Sequence, residues 1–419
     1  MALTGSPQHM KEAFKMNSQA VSIDHPKTNR KNSTLALLAL AISAFGIGTT
    51  EFVPVGLLST ISNDLSISIT MAGLLISGYA MGVAVGAPVL TALTNKMNRK
   101  TLLISLMIVF IIGNTVAALS NSYELLLVAR FITAFSHGIF FSIGATIAAD
   151  LVPANKRASA IALMFTGLTV ATVTGVPLGT FIGQMFGWRA TFWGVALLGV
   201  IGAVASAILI PRNLKEAPPS KLREQLDVLK NSKLLMAFAI TALGYGGTFV
   251  AFTYLTPLLE NVTGFSAKWV SGILLVYGIA VAFGNVIGGK ASDKNPLRAL
   301  MWMFIMQAVI LVVLTFAAPF KVVGLIVIFL MGMFAFMNVP GLQVLVVNLA
   351  EKYVPSAVNV ASALNIAAFN VGIAIGSLLG GIIVDSIGLI HTPWIGGVMV
   401  MGAVGLTVKL MKMEGKTAH

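Results

Sequence analysis

The sequence predicts an all-α membrane protein whose twelve transmembrane helices form two pseudo-symmetric six-helix halves. Three observations predict it. Apolar runs are long enough to cross a bilayer, basic residues are confined to alternate loops, and short patterns recur across the middle of the chain.

Hydrophobic residues make up 57% of the 419 positions and charged residues only 10%, with a mean hydropathy of +0.91. A soluble domain carries roughly 25% charged residues, so water is not the main solvent of this chain. Apolar runs fall at 34–58, 69–93, 101–120, 123–149, 158–183 and 189–210, then at 235–258, 268–289, 298–318, 322–349, 357–383 and 393–411. A helix of about 20 residues spans the hydrocarbon core. Lipid offers no partner to backbone amides, so such runs must be helical. With no cysteine, disulfides, thiol chemistry and Cys-ligated metals are excluded.

A net charge of +13 would suggest nucleic acid in a soluble protein, but its distribution gives another reading. Lys11, Lys15, Lys27, Arg30 and Lys31 precede the first apolar run. No short apolar core with a small-residue cleavage site follows them, as a signal peptide requires, so 1–33 reads as a disordered cytoplasmic tail. Alternate loops and the run ends adjoining them then hold all the remaining basic residues except Arg189, Lys268, Lys321 and the intraspan Arg130. Positive loops stay inside, so both termini are expected in the cytoplasm of a cell whose inner membrane holds the protein.

The Pro-rich, charged stretch 211–234 separates one half, 34–210, from another, 235–411, and 412–419 is a short C-terminal tail. Gly73-Leu74-Leu75 is echoed by Gly272-Ile273-Leu274-Leu275, and Tyr79 by Tyr277. Val152-Pro153 followed by Ala158-Ser159-Ala160 is echoed by Val354-Pro355 followed by Ala361-Ser362-Ala363. Glu51-Phe-Val-Pro54 aligns with Tyr254-Leu-Thr-Pro257, which places Tyr254 at the position of Glu51. Order and steady offset point to duplication. Two six-helix halves with a midplane binding site are the architecture of many secondary transporters.

Ionisable groups inside spans cost about 2.5–3.5 kcal/mol on insertion scales and call for a partner or a task. Glu51 in the first span is the sharpest candidate. A buried carboxyl group can exchange a proton for a cationic substrate, or can simply pair with Arg130 or a helix end. Arg130 can hold the charge of Glu51, bind substrate or brace the fourth span. His137 lies seven residues on, on the same helix face with Phe141, and either titrates in function or packs. Tyr79, Tyr245, Tyr254, Asn338, Gln343, Asn365 and Asn370 are candidate cavity residues, with interhelical hydrogen bonding as the alternative. No metal-ligand spacing appears. No Gly-rich loop ends in the Lys-Ser/Thr of a phosphate loop, so no nucleotide drives the chain directly.

Several of these segments resemble the major facilitator superfamily, in particular its twelve-span drug:proton antiporter branch, which includes sugar-efflux and arabinose-efflux-like permeases. The resemblance covers 34–411. It is carried by Gly48-Thr-Thr-Glu-Phe-Val-Pro-Val-Gly-Leu-Leu58, Arg130 with His137-Gly138, and Gly175-Val-Pro-Leu-Gly179 with Gly187-Trp188-Arg189. It implies proton or substrate binding at Glu51 and proton coupling at Arg130. It also implies an antiporter signature at Gly167, Gly175, Pro177 and Gly179, where Val176 replaces the usual glycine. The cytoplasmic latch of the family, Gly-x-x-x-Asp-Arg-x-Gly-Arg-Arg, departs here to Thr91-Ala-Leu-Thr-Asn95-Lys96-Met-Asn98-Arg99-Lys100. Asn95 lacks the carboxylate, Arg99 and Lys100 keep the charge, and the second half keeps Gly289 and Asp293. A looser N-half latch is expected.

The resulting expectation is a monomeric, proton-coupled exporter of a drug-like, sugar-like or metabolite substrate. It works by alternating access within membrane lipid, with no cofactor beyond the proton gradient, no metal and no nucleic acid. Proton-coupling residues are Glu51, Arg130 and His137. The alternatives are an uptake symporter of the same fold and an uncoupled channel or scaffold; no nucleophile–base pair suggests an enzyme.

Overall fold

A computed structural model of the chain describes residues 30–94, 97–153, 156–212, 222–293 and 295–415. All regular structure among them is helical, and twelve helices are long and apolar enough to cross a membrane. The first half comprises α1 (Arg30–Leu65), α2 (Ile69–Thr94), α3 (Arg99–Leu119), α4 (Tyr123–Asp150), α5 (Arg157–Val170), α6 (Val176–Phe186) and α7 (Trp188–Leu209). A short helix, α8 (Leu222–Lys230), precedes the second half. That half comprises α9 (Ser232–Phe252), α10 (Leu255–Asn261), α11 (Ala267–Ser292), α12 (Pro296–Ala317), α13 (Lys321–Tyr353), α14 (Val358–Ser386) and α15 (Thr392–Gly415).

Two spans are composite. A π-helical turn, Ala171–Gly175, joins α5 to α6. Pro177 causes it: lacking an N–H and clashing with the carbonyl four residues back, a proline is accommodated by a wider turn. In the other composite span α9 breaks at Thr253–Tyr254 before α10, ahead of Pro257.

Several helices outlast their apolar runs, because helical hydrogen bonding continues beyond the hydrocarbon. α1 starts at Arg30, inside the stretch read as tail, and runs on to Leu65; α15 continues to Gly415. The stretch 211–234 includes α8 and the start of α9. Residues 1–29, 213–221 and 416–419, and with them most of the expected tails and part of the linker, lie outside the described residues, as do Asn95 and Lys96.

The same helix pairings occur in both halves. In the first, α1 packs on α5 and α7, α2 on α4, and α3 on α4 and α7; in the second, α9 packs on α14 and α15, α11 on α13, and α12 on α13 and α15. Where α9 crosses α14, Gly246 and Gly372 bring backbone against backbone, with no room for a Cβ. Large apolar side chains left exposed, such as Phe186, Ile208 and Phe316, face outward where lipid replaces protein.

Twelve crossings return the chain to the side where it began, here termed the terminal side, opposite the far side. The halves meet through α2 with α14, α6 and the π turn with α11, and α1 with α10. The apolar core of the second half continues into the first through Phe52, Val55, Leu58, Ala72, Ile76, Ala80 and Val176. These lie in the middle and far portions of their helices. Thr70 Oγ1 closes the far end by donating to Asp385 Oδ1 at 2.7 Å and to the Gly381 carbonyl at 3.2 Å. On the terminal side Arg99 pairs with Asp150 at 2.6 Å within the first half, and Glu414 pairs with Lys233 at 2.6 Å and Lys352 at 2.8 Å within the second. Among the described residues the seam is thus built at the far side.

Candidate functional site

The site begins with a defect in α1. Pro54 lies inside the helix and supplies no N–H, so the carbonyl of Thr50, four residues earlier, loses its helical donor. Arg130 on α4 fills the vacancy, its Nη1 donating to that oxygen at 2.6 Å and to Thr50 Oγ1 at 3.3 Å. Nη2 reaches the backbone carbonyl of Glu51 at 3.4 Å, and Nε the carbonyl of Leu75 on α2 at 3.4 Å. The guanidinium also lies 4.0 Å from the centroid of the Tyr79 ring. Thr50 Oγ1 in turn donates to Asn114 Oδ1 at 2.7 Å, and Asn114 Nδ2 to the Phe110 carbonyl at 2.9 Å. In this geometry the donors of Arg130 serve oxygens of α1 and α2, the arrangement of a brace between helices.

Glu51 keeps its carboxylate unclaimed. The side chain is buried, and Oε2 lies 3.9 Å from His137 Nδ1, beyond hydrogen-bond length. Among the described residues no hydrogen bond reaches that carboxylate. His137 Nδ1 is already 3.1 Å from the Tyr79 hydroxyl. The imidazole packs on Phe141 with centroids 5.1 Å apart, and Phe141 stacks on Phe165 at 5.2 Å. Glu51, Tyr79, His137 and Phe141 therefore form one group in the middle of the first half.

The second half supplies an aromatic wall. Phe52, next to Glu51, meets Phe249, Phe252 and Phe336 at centroid distances of 6.1, 6.4 and 6.2 Å. Tyr245 packs on Phe249, Phe336 and Phe369. The aromatic cluster of the second half is thus joined to the helix of Glu51 through the neighbouring Phe52.

The other expected residues lie elsewhere. Tyr254 is in the far seam, not beside the Glu51 group. Its hydroxyl donates to the Ser377 carbonyl at 3.1 Å and its ring leaves no room at Gly73 and Gly381. Asn365 belongs to a chain linking three helices: Thr241 Oγ1 donates to its Oδ1 at 2.7 Å, and its Nδ2 donates to Gln343 Oε1 at 2.9 Å. Asn338 Nδ2 donates to Gln307 Oε1 at 2.9 Å inside the second half. Asn370 Nδ2 donates to the Ile366 carbonyl at 3.0 Å, leaving its buried Oδ1 without a partner.

Gly175 packs on Thr49 and Phe45 of α1, Pro177 opens α6, and Gly179 sits against Val53, its carbonyl accepting from Thr191 Oγ1 at 2.7 Å. The latch residues separate. Arg99 pairs with Asp150, Lys100 caps α7 through the carbonyls of Ala207 and Ile210, Gly289 lies near Pro340, and Asp293 is exposed at the end of α11. Asn95 lies outside the described residues.

Two clusters escaped sequence reasoning. Asp64 Oδ2 accepts from Trp188 Nε1 at 2.9 Å and Arg189 Nη1 at 2.6 Å, tying α1 to α7. Glu414 accepts from Lys233, Lys352 and Tyr353. The Thr50–Arg130 contact had a readable signal, since a proline inside a span frees the carbonyl four residues back.

Comparison with known proteins places these features. Residues 40–364 match the sequence profile described as Major Facilitator Superfamily. The chain is 64% identical over 377 residues to the "Uncharacterized MFS-type transporter YtbD" of Bacillus subtilis (strain 168), covering 90% of this chain and 95% of the relative. It is 39% identical over 383 residues to the "Inner membrane transport protein YdhP" of Escherichia coli (strain K12), covering 91% and 96%. It is 34% identical over 348 residues to the "Putative transporter AraJ" of the same strain, covering 82% and 86%. In fold it is similar, with a TM-score of 0.67 and 17% identity over 91% of this chain and 96% of the other, to a bacterial homolog of the human lysosomal transporter Spinster, solved in an inward-facing and unoccupied conformation.

Proposed function

The chain belongs to the Major Facilitator Superfamily and is a membrane transporter of that type, and from this premise we propose that it is a proton-coupled antiporter that exports a small molecule. One observation carries the proposal: the carboxylate of Glu51 is buried within the first span beside the seam, while Arg130 donates to backbone oxygens. A buried carboxyl group with no fixed partner can hold either a proton or a substrate. Occupancy drives alternating access only if it changes the relative stability of the two facing states. Glu51 is suited to this because Phe52, next to it in the chain, packs on the opposite half.

In this reading the terminal side is cytoplasmic, as the basic loops favour, and the far seam closes the external side. The name of the E. coli relative YdhP supports an inner-membrane location. His137 and Tyr79 line the path to Glu51, and Tyr245 with Phe336 and Phe369 supplies the apolar wall for a drug-like, sugar-like or metabolite substrate.

Inverted vesicles carrying wild type or Glu51→Gln, energised by an imposed proton gradient, test the proposal against a panel of drugs and sugars. Substrate accumulation that collapses with the gradient, and is uncoupled from it in Glu51→Gln, is the expected result. Normal coupled transport by Glu51→Gln sinks the assignment of Glu51. Substrate leaving the vesicles together with protons identifies an uptake symporter.

A further inference from the structure

A cavity of about 460 Å³ opens on the terminal side between the start of α3 and the end of α7, remote from Glu51, and is lined by Asn98, Lys100, Thr101, Ile104, Ala207 and Arg212. Among the described residues no acidic side chain lines it. Lys100 Nζ donates to the carbonyls of Ala207 at 2.6 Å and Ile210 at 2.5 Å, which leaves a third ammonium N–H. Arg212 lines the same cavity as Lys100. Among the described residues no carboxylate pairs with either. Two neighbouring cations with no neutralising acid favour an anion between them.

The surface below the cavity identifies the anion's carrier. Continuing from Ile104 at helical spacing, Ile108 and Ile112 on α3 are exposed, and on α7 Val204 and Val200 are exposed beyond Ala207. A cationic head over an outward-facing apolar track matches a molecule that is anionic at one end and apolar at the other. We propose that this cavity seats the phosphodiester headgroup of an anionic membrane lipid, its acyl chains lying along α3 and α7. Arg212 supplies the planar fork that suits phosphate oxygens, and Lys100 ties the headgroup to the cap of α7. Basic pockets between membrane helices are a recurrent form of such recognition.

The test is native mass spectrometry of the full chain, purified in detergent, stripped of lipid and titrated with dioleoylphosphatidylglycerol. Dioleoylphosphatidylcholine is titrated in parallel, and inorganic phosphate is added as competitor. One phosphatidylglycerol retained where phosphatidylcholine is lost is the expected result. Removing one basic residue near a lipid surface is expected to weaken binding about fivefold, so R212Q should show that loss and R212K, which keeps the charge but not the fork, should recover only part of it. R212Q leaves the Lys100 cap of α7 in place, so a folding defect does not confuse the reading. Equal retention of the two lipids, or unchanged phosphatidylglycerol binding in R212Q, overturns the proposal. Displacement of the lipid by millimolar inorganic phosphate also overturns it, by marking a site for free phosphate.

Discussion

Arg130 Nη1 lies 2.6 Å from the carbonyl oxygen of Thr50, the one oxygen of α1 whose helical donor Pro54 cannot supply. The cation is therefore part of the backbone hydrogen bonding of another helix. A substitution at either position changes the meaning of the other.

That coupling is measurable. Removing one partner of a buried hydrogen bond leaves a desolvated group costing about 1–3 kcal/mol, so R130M should destabilise the protein by at least that much. In P54A/R130M the backbone N–H restored by the alanine can bond to the Thr50 carbonyl, and the double variant should lose roughly 1 kcal/mol less than the sum of the singles. Reversible unfolding in mixed micelles gives the cycle; strict additivity would remove the Pro54–Arg130 linkage.

Tyr79 has two roles that substitution separates. Y79F keeps the ring beneath the Arg130 guanidinium and loses only the hydroxyl contact with His137, worth about 0.5–1.5 kcal/mol. Y79L loses the ring as well, and should cost a further 0.5–2 kcal/mol or so by the cation–π contribution. Equal stability of the two variants in the same unfolding assay would mean that the ring does not support Arg130.

The far seam depends on a close approach at Gly278, where a Cβ would lie 2.7 Å from the Thr172 carbonyl oxygen and the Val173 Cα. Overpacking costs about 1–3 kcal/mol, so G278V should loosen the seam by roughly tenfold or more. The chain has no cysteine, so A72C, at a position buried in the seam, is a single reporter. Its maleimide labelling from the far side should accelerate by that factor in G278V. An unchanged rate would show that the seam does not depend on that contact.

On the terminal side Glu414 holds Lys233, Lys352 and Tyr353 together. Lys233 and Glu414 are largely buried, whereas the Lys352 side chain is half exposed. Exposed pairs contribute about 0–1 kcal/mol, so K352Q should change stability little and E414Q appreciably more. Unfolding midpoints that rank the other way would place the weight of the cluster on Lys352.

The twelve spans were legible because lipid forces every backbone group to bond within its own helix, so hydropathy alone marks each crossing. Glu51, His137 and Phe141 were legible as candidates because ionisable groups are rare in spans and seven-residue spacing shares a face. The contact between Tyr79 and His137 was not, since it depends on how far α2 is shifted along α4. Tyr254 shows the limit of reading a repeat. Its position matches that of Glu51 in the alignment, yet the break at Thr253–Tyr254 carries the ring into the far seam. Asp64 was overlooked because an acid at a helix end is ordinary until Trp188 and Arg189 are seen to converge on it.

The π turn at Ala171–Gly175 fixes the phase of everything after it. A wider turn acts as one extra residue, and one residue of α-helix is about 100° of rotation. Were the same five residues wound as regular α-helix, the span would still be long enough to cross the membrane but α6 would turn on its axis by about that angle. Gly179 and Gly183, which now admit Val53 and Leu57 of α1, would swing away, and side chains now exposed, such as Leu178 and Phe181, would turn toward protein. The composition would be unchanged, so hydropathy could not detect the damage; the information held by that turn is angular.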